Sequence, residues 1–129
     1  MLPFHLPGGE KAGREPWRSA AALCWQAGIE WKELPDGAHI LHQAWKNRLN
    51  TPQSSAVGRL FDAASALTGI LQQASFEGQG PMLLEQACGE LRPTLALPQL
   101  EDETGLLQAD WSGLLPTLMD NSRSIAERA

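Results

Sequence analysis

The amino-acid sequence predicts a mainly α-helical domain of about five helices with one small β-hairpin. Three observations carry that expectation. Apolar residues recur at helical spacing in successive stretches that Gly, Pro and Asn residues separate. One stretch, TLALPQLEDETGLL (94–107), instead sets two short apolar runs around an acidic, glycine-containing turn. A chain of 129 residues with 43% hydrophobic content also suits a single domain able to bury a core.

The elements follow in order. Residues 1–13 are extended or looped, because Pro3, Pro7 and the Gly8-Gly9 pair break helices. Residues 2–6 can form a short edge strand. The first helix is expected over 15–27, with Pro16 in its first turn and Gly28 just past its end. A loop over 29–37 closes on a Pro-Asp-Gly turn. The second helix is expected over 38–49, and Asn50-Thr51-Pro52 stops it.

The third helix is the clearest. It begins near SSAVGRLFDAASALTGI, with Ser54 or Ser55 as the capping residue. On a wheel of about 100° per residue, Val57, Leu60, Phe61, Ala64, Leu67 and Leu71 fall together as the core face. Ser55, Arg59, Asp62, Ala66 and Gly69 form the other stripe. A fourth helix begins near Gly80, with Pro81 in its first turn, and Arg92-Pro93 ends it. After the hairpin, Asp110 caps a fifth helix over 111–120, which Pro116 weakens. The closing SIAERA reads as the first turns of a helix that stops, as in a chain cut from something longer.

Composition excludes several classes. The net charge is −5 and acids and bases are mixed, so there is no basic footprint for nucleic acid. No apolar run reaches membrane-spanning length, and MLPFHLPGGEK is too poor in apolar residues for a signal peptide. A cytoplasmic chain is expected. Cys24 and Cys88 read as two small core thiols in a reducing compartment. The five Trp are spread along the chain as packing anchors.

Candidate chemistry is sparse. His39 and His42 stand three apart, but a metal site needs more ligands and His5 lies far off in sequence. GGEKAGR lacks the spacing of a phosphate-binding loop and reads as a turn. Arg59 and Asp62 admit two readings. They are either an exposed ion pair of little consequence, or the polar contact on a stripe kept small for close approach of a ligand. The wheel leaves both open.

Three ordered segments carry a resemblance. LPGGEKAGREPWR (6–18), NTPQSSAVGRLFDAASALTGI (50–70) and SFEGQGPMLLEQA (75–87) resemble the Kae1-like domain of HypF-type carbamoyltransferases. The resemblance covers nearly the whole chain but only a central slice of such a protein. It implies a helical subdomain, residues 1–129, of a larger actin/Hsp70-like ATPase domain. It also implies a role in nickel–iron hydrogenase maturation. There the whole enzyme forms a carbamoyl-adenylate from carbamoyl phosphate and ATP, and passes the carbamoyl group to the C-terminal cysteine of HypE.

Carried onto this sequence, the resemblance makes Asp62 the aspartate that faces the nucleotide ribose and Gly78 a nucleotide-facing glycine. Gly58 and Arg59 belong to the same motif, and Glu77 flanks the glycine. Phe76 stands where the family often has tyrosine. The metal-binding histidines and phosphate loops of the family lie in segments absent here, so no catalytic or metal residue is assigned. The isolated chain is expected to be inactive and to hold no nucleotide tightly. A HypE-type protein is the expected partner of the intact enzyme, and a homodimer is expected of the fragment alone. A free-standing helical interaction module is the alternative. The tRNA-modifying relatives fit less well, since Ala63 replaces their lysine.

Overall fold

Local sequence signals place the central helices of the computed structural model, which describes residues 1–90 and 95–129. A short strand β1 (Phe4–His5) leads into a 3-10 turn over Gly9–Gly13. Helix α1 (Pro16–Ala27) starts on its proline, and Gly28 ends it at a φ of 68°. The Gly28 N–H donates to the carbonyls of Cys24 and Trp25. Helix α2 (Ala38–Lys46) follows, then β2 (Gln53–Ser54), which pairs antiparallel with β1, Phe4 opposite Ser54. Helices α3 (Val57–Leu67) and α4 (Gln79–Ala87) come next. A hairpin of β3 (Gln99–Glu101) and β4 (Leu107–Ala109) precedes the short α5 (Leu114–Leu118) and α6 (Ile125–Arg128).

The core lies between α1 and α3, with α4 against the other side of α3. Both central helices meet through small side chains. Ala20, Ala21 and Ala22 of α1 are buried, as are Ala63, Ala64, Ser65 and Ala66 of α3. Small residues let two helix backbones approach closely. Larger groups close the ends: Leu23, Leu67, Leu115, Phe4 and Trp111 are almost wholly buried. Each such side chain contributes about 1.5–3 kcal/mol by burial. Phe4 meets Trp111 edge-on at 6.1 Å, and the Trp111 indole N–H donates to the Leu2 carbonyl at 2.8 Å. The N-terminal segment is thereby fastened to the hairpin end of the chain.

Several elements depart from the sequence expectation. The α3 faces are partly exchanged. Val57 and Phe61 lie outside, at 51% and 47% exposure, whereas Asp62 and Ala66 are buried. Ala64 and Leu67 of the expected core face are buried as well, so α3 is covered on more than one side, and of that face only Val57 and Phe61 near its start stay outside. Neither serine caps α3. Its flanking residue is Ala56, and Ser54 is drawn into β2, its hydroxyl accepting the Ala56 N–H at 3.3 Å. Helix α2 ends at Lys46, before a turn in which Arg48 and Asn50 take left-handed φ values of 55° and 48°.

The hairpin sits further along the chain than expected. Asp102 organises its turn, accepting the Thr104 N–H at 2.8 Å and the Leu106 N–H at 3.1 Å on one carboxylate oxygen. The fifth helix is shorter than expected, because the Asp110 carboxylate accepts the Ser112 N–H at 2.9 Å in a turn of its own. Pro116 then falls within the first turn of α5, where it breaks no hydrogen bond. Cys24 is a core thiol, raised to about 11 by burial, but Cys88 is exposed. The Arg92-Pro93 stop and Thr94, at the start of the expected hairpin stretch, lie outside the described residues.

Candidate functional site

Arg59 joins three segments distant in sequence. One guanidinium nitrogen, Nη1, donates to Asp62 Oδ2 at 2.6 Å and to the Ala12 carbonyl at 3.4 Å. The other, Nη2, donates to the Glu77 carboxylate. Arg59 and Asp62 meet because they stand three apart on α3, one turn along the same face. Glu77 is carried in by the loop before α4. That loop is also held to the N-terminal region, where the Ala74 N–H donates to the Arg14 carbonyl at 2.8 Å. Gly13 lies against this convergence at ordinary contact distance. A Cβ there would stand 3.4 Å from Arg59 Nη2 and 3.5 Å from the Glu77 carboxyl carbon.

The two carboxylates differ in setting. The Asp62 side chain keeps 4% of its surface and that of Glu77 keeps 71%. Burial drives the Asp62 pKa upward from 3.8; the charge and hydrogen bond of Arg59 oppose this, and the negative charge of Glu77 adds to it. The pair is therefore not an exposed one of little consequence. With all three groups ionised the cluster carries one net negative charge. It presents hydrogen-bond acceptors on both carboxylates.

Of the expected site residues, Arg59, Asp62 and Glu77 are thus in direct contact. Gly58 and Gly78 enter as their chain neighbours. Gly58 lies in the first turn of α3, and Gly78 begins α4 at a φ of 87°. A Cβ on either would meet nothing within 4 Å. Nothing in the sequence points to four further participants. These are the Ala12 carbonyl, Gly13, Ser65 and Gly80. Their contacts join positions far apart in the chain, which periodicity cannot report. At Gly80 a Cβ would stand 2.5 Å from Ser65 Oγ and 3.6 Å from Asp62 Oδ1. That glycine fixes how closely α4 approaches the buried carboxylate.

The histidines take other roles. His42 stacks on Trp25 at 4.5 Å, and burial followed by the charge of Lys46 lowers its pKa. The His5 ring lies 3.3 Å from the Thr51 carbonyl. Among the described residues no group of three or more His, Cys, Asp or Glu is placed to hold a metal. None of the described helices is long and apolar enough to cross a membrane.

Comparison with known proteins agrees with this arrangement at the level of fold and family. Residues 1–129 match the family described as the carbamoyltransferase Kae1-like domain, second subdomain, and the chain belongs to that family. It is 46% identical over 85 residues to Carbamoyltransferase HypF2 of Cupriavidus necator, covering 62% of this chain and 10% of that protein. It is 37% identical over 90 residues to Carbamoyltransferase HypF of Rhizobium leguminosarum bv. viciae, covering 66% of this chain and 12% of that one. A Carbamoyltransferase HypF homolog of Cupriavidus necator is 32% identical over 126 residues, covering 88% of this chain and 32% of the relative.

Among solved structures, full-length HypF in its phosphate- and nucleotide-bound form superposes with a TM-score of 0.78 at 22% identity. That match covers 99% of this chain and 18% of the HypF chain. The fold is the mainly helical one with small hairpins that the sequence predicts, and it matches a segment of HypF, as the resemblance implies. The chain spans between 10% and 32% of these curated relatives.

Proposed function

We propose that this chain forms one wall of the nucleotide site in a HypF-type carbamoyltransferase, with Asp62 accepting hydrogen bonds from the ribose hydroxyls. The observation that carries this reading is the buried Asp62 carboxylate, paired by only one of its oxygens, with the other turned toward Gly80. The sign of the cluster selects the part of the ligand. A net negative group repels phosphates and favours donors, and ribose hydroxyls are donors. A hydrogen bond to a charged, shielded carboxylate contributes about 1.5–3 kcal/mol. Gly58 and Gly78 let a ligand lie close to the backbone, and Arg59 and Glu77 hold Asp62 in position.

On this reading, ATP and carbamoyl-adenylate bind only where other segments supply phosphate contacts. The isolated chain then turns over no ATP, and carbamoyl transfer to a HypE-type cysteine belongs to the assembled enzyme. Compartment and partner follow that enzyme: cytoplasmic, with no nucleic acid. The test is titration of adenosine into a full-length carbamoyltransferase carrying this subdomain, with and without Asp62→Ala. Affinity should fall at least tenfold in the variant, a loss corresponding to about 1.4 kcal/mol. Equal affinities would remove Asp62 from the site.

One observation favours the alternative of an interaction module. Val57, Phe61, Phe76 and Met82 are all about half exposed on or beside α3 and α4. Joined into one patch, apolar surface of this kind serves as a contact with other protein. The two readings meet in a single enzyme if the remainder of the carbamoyltransferase covers this face.

A further inference from the structure

The Arg59 guanidinium is shared unusually between its two carboxylates. Its terminal edge carries parallel N–H groups that suit both oxygens of one carboxylate at once. Here that edge is divided. Nη1 serves Asp62 through Oδ2 alone, and Nη2 serves Glu77. No hydrogen bond reaches Asp62 Oδ1 from any described residue. Oδ1 instead faces Gly80, whose missing Cβ would stand 3.6 Å away. A second carboxylate thus holds Arg59 to a single-oxygen contact with the first.

Resting on the reading of Asp62 as a ribose acceptor, we propose that Glu77 is a positioning residue. By occupying half of the Arg59 fork, it keeps Asp62 Oδ1 free for a hydroxyl-bearing ligand. The physical reason is competition for donors. Without Glu77, the cheapest arrangement for a buried Arg–Asp pair is the two-bond fork, which consumes both Asp62 oxygens. A ribose hydroxyl would then have to break a charged hydrogen bond before making its own. The uneven exposure fits this role. Asp62 keeps only a small part of its surface, whereas Glu77 reaches Arg59 from the solvent side, its own side chain 71% exposed. Glu77 therefore acts through Arg59 and need not touch the ligand.

The test uses adenosine and 2′,3′-dideoxyadenosine, titrated into the full-length carbamoyltransferase carrying this subdomain. Glu77→Ala should weaken adenosine about tenfold and leave the dideoxy analogue unchanged, since the analogue offers no hydroxyl pair. Glu77→Asp, which keeps the charge, should restore most of the loss. Adenosine affinity unchanged in Glu77→Ala, but lost in Asp62→Ala, would overturn the role of Glu77 and leave the site reading intact. Unchanged affinity in both variants would overturn the site reading itself. A measurement free of ligand separates them further. NMR titration of the Asp62 side-chain carboxyl should show its pKa lower in Glu77→Ala, where the fork closes, than in Glu77→Gln, which removes the same charge but keeps an acceptor for Arg59 Nη2. An equal or higher value would show that the fork does not close, and the proposal would fail on that result alone.

Discussion

Asp62 pays for its position with solvation, and pH should expose that cost. Burial raises its native pKa above 3.8, against the pull of Arg59. In the unfolded chain the group returns to its ordinary value. Between the ordinary and the raised value, the native state therefore binds more proton than the unfolded one. The sign follows: the contribution of Asp62 to unfolding free energy is least favourable above its native pKa, and improves as pH falls through that window toward 3.8. Asp62→Asn removes the titration while keeping the shape. Urea unfolding of both proteins at a series of pH values should show the wild type gaining on the variant as pH is lowered. A difference moving the other way would mean that Arg59 stabilises the ionised carboxylate by more than burial costs it.

The contrast between Asp62 and the histidines shows what single residues reveal in sequence. The Arg59–Asp62 pair was legible because a spacing of three fixes a shared face on any helix. Its depth was not, since burial depends on α1 and α4, which the spacing does not encode. Glu77, eighteen residues further on, stands in the quoted motif, but no local rule joins it to Arg59.

Among the elements, those bounded by proline and glycine were read closest to their true limits. Pro16 and Gly28 bracket α1, and Ser124 with Glu127 forms the capping box that starts α6. The turn of the hairpin falls where the acidic, glycine-containing stretch places it, but its strands are only three residues each, and α5 is shortened because Asp110 builds a side-chain turn before it. On α3, periodicity places Ala64 and Leu67 inside, as found, but assigns Val57 and Phe61 to the core and Asp62 and Ala66 to the surface, because it assumes one buried face where α1 and α4 both pack on the helix.

The α3–α4 contact can be tested at its tightest point. Gly80→Ala would place a Cβ 2.5 Å from Ser65 Oγ and 3.2 Å from Ser65 Cβ. The Ser65 hydroxyl already donates to the Asp62 carbonyl at 2.7 Å and has little room to move. Overpacking of this kind costs about 1–3 kcal/mol. Equilibrium unfolding should therefore show Gly80→Ala destabilised by that amount. The double change Gly80→Ala with Ser65→Gly should recover a large part of it, because the clash is with one side chain. No recovery would place the strain in the α4 backbone instead.

At the scale of the whole molecule, the interior and the outside of α3 make opposite demands. Its small residues pack against α1 and α4, and Val57 and Phe61, which periodicity assigns to the core together with Ala64 and Leu67, stay outside. Val57 and Phe61, one helical turn apart, stand on the outer face of α3, with Phe76 and Met82 on the segment that follows. A chain that spans 10% to 32% of its curated relatives carries apolar surface that a longer protein can cover. Alone, that surface is wet. The expected consequence is association between copies of the isolated chain, since each buried Å² of apolar area contributes roughly 25 cal/mol. Sedimentation velocity should show a concentration-dependent rise above the monomer mass at roughly tens of micromolar. Phe61→Glu with Met82→Glu should return the chain to monomer without loss of helix content by circular dichroism, because neither side chain is buried. A wild-type chain that stays monomeric across that range would mean the outer apolar residues are too dispersed to act as one contact face.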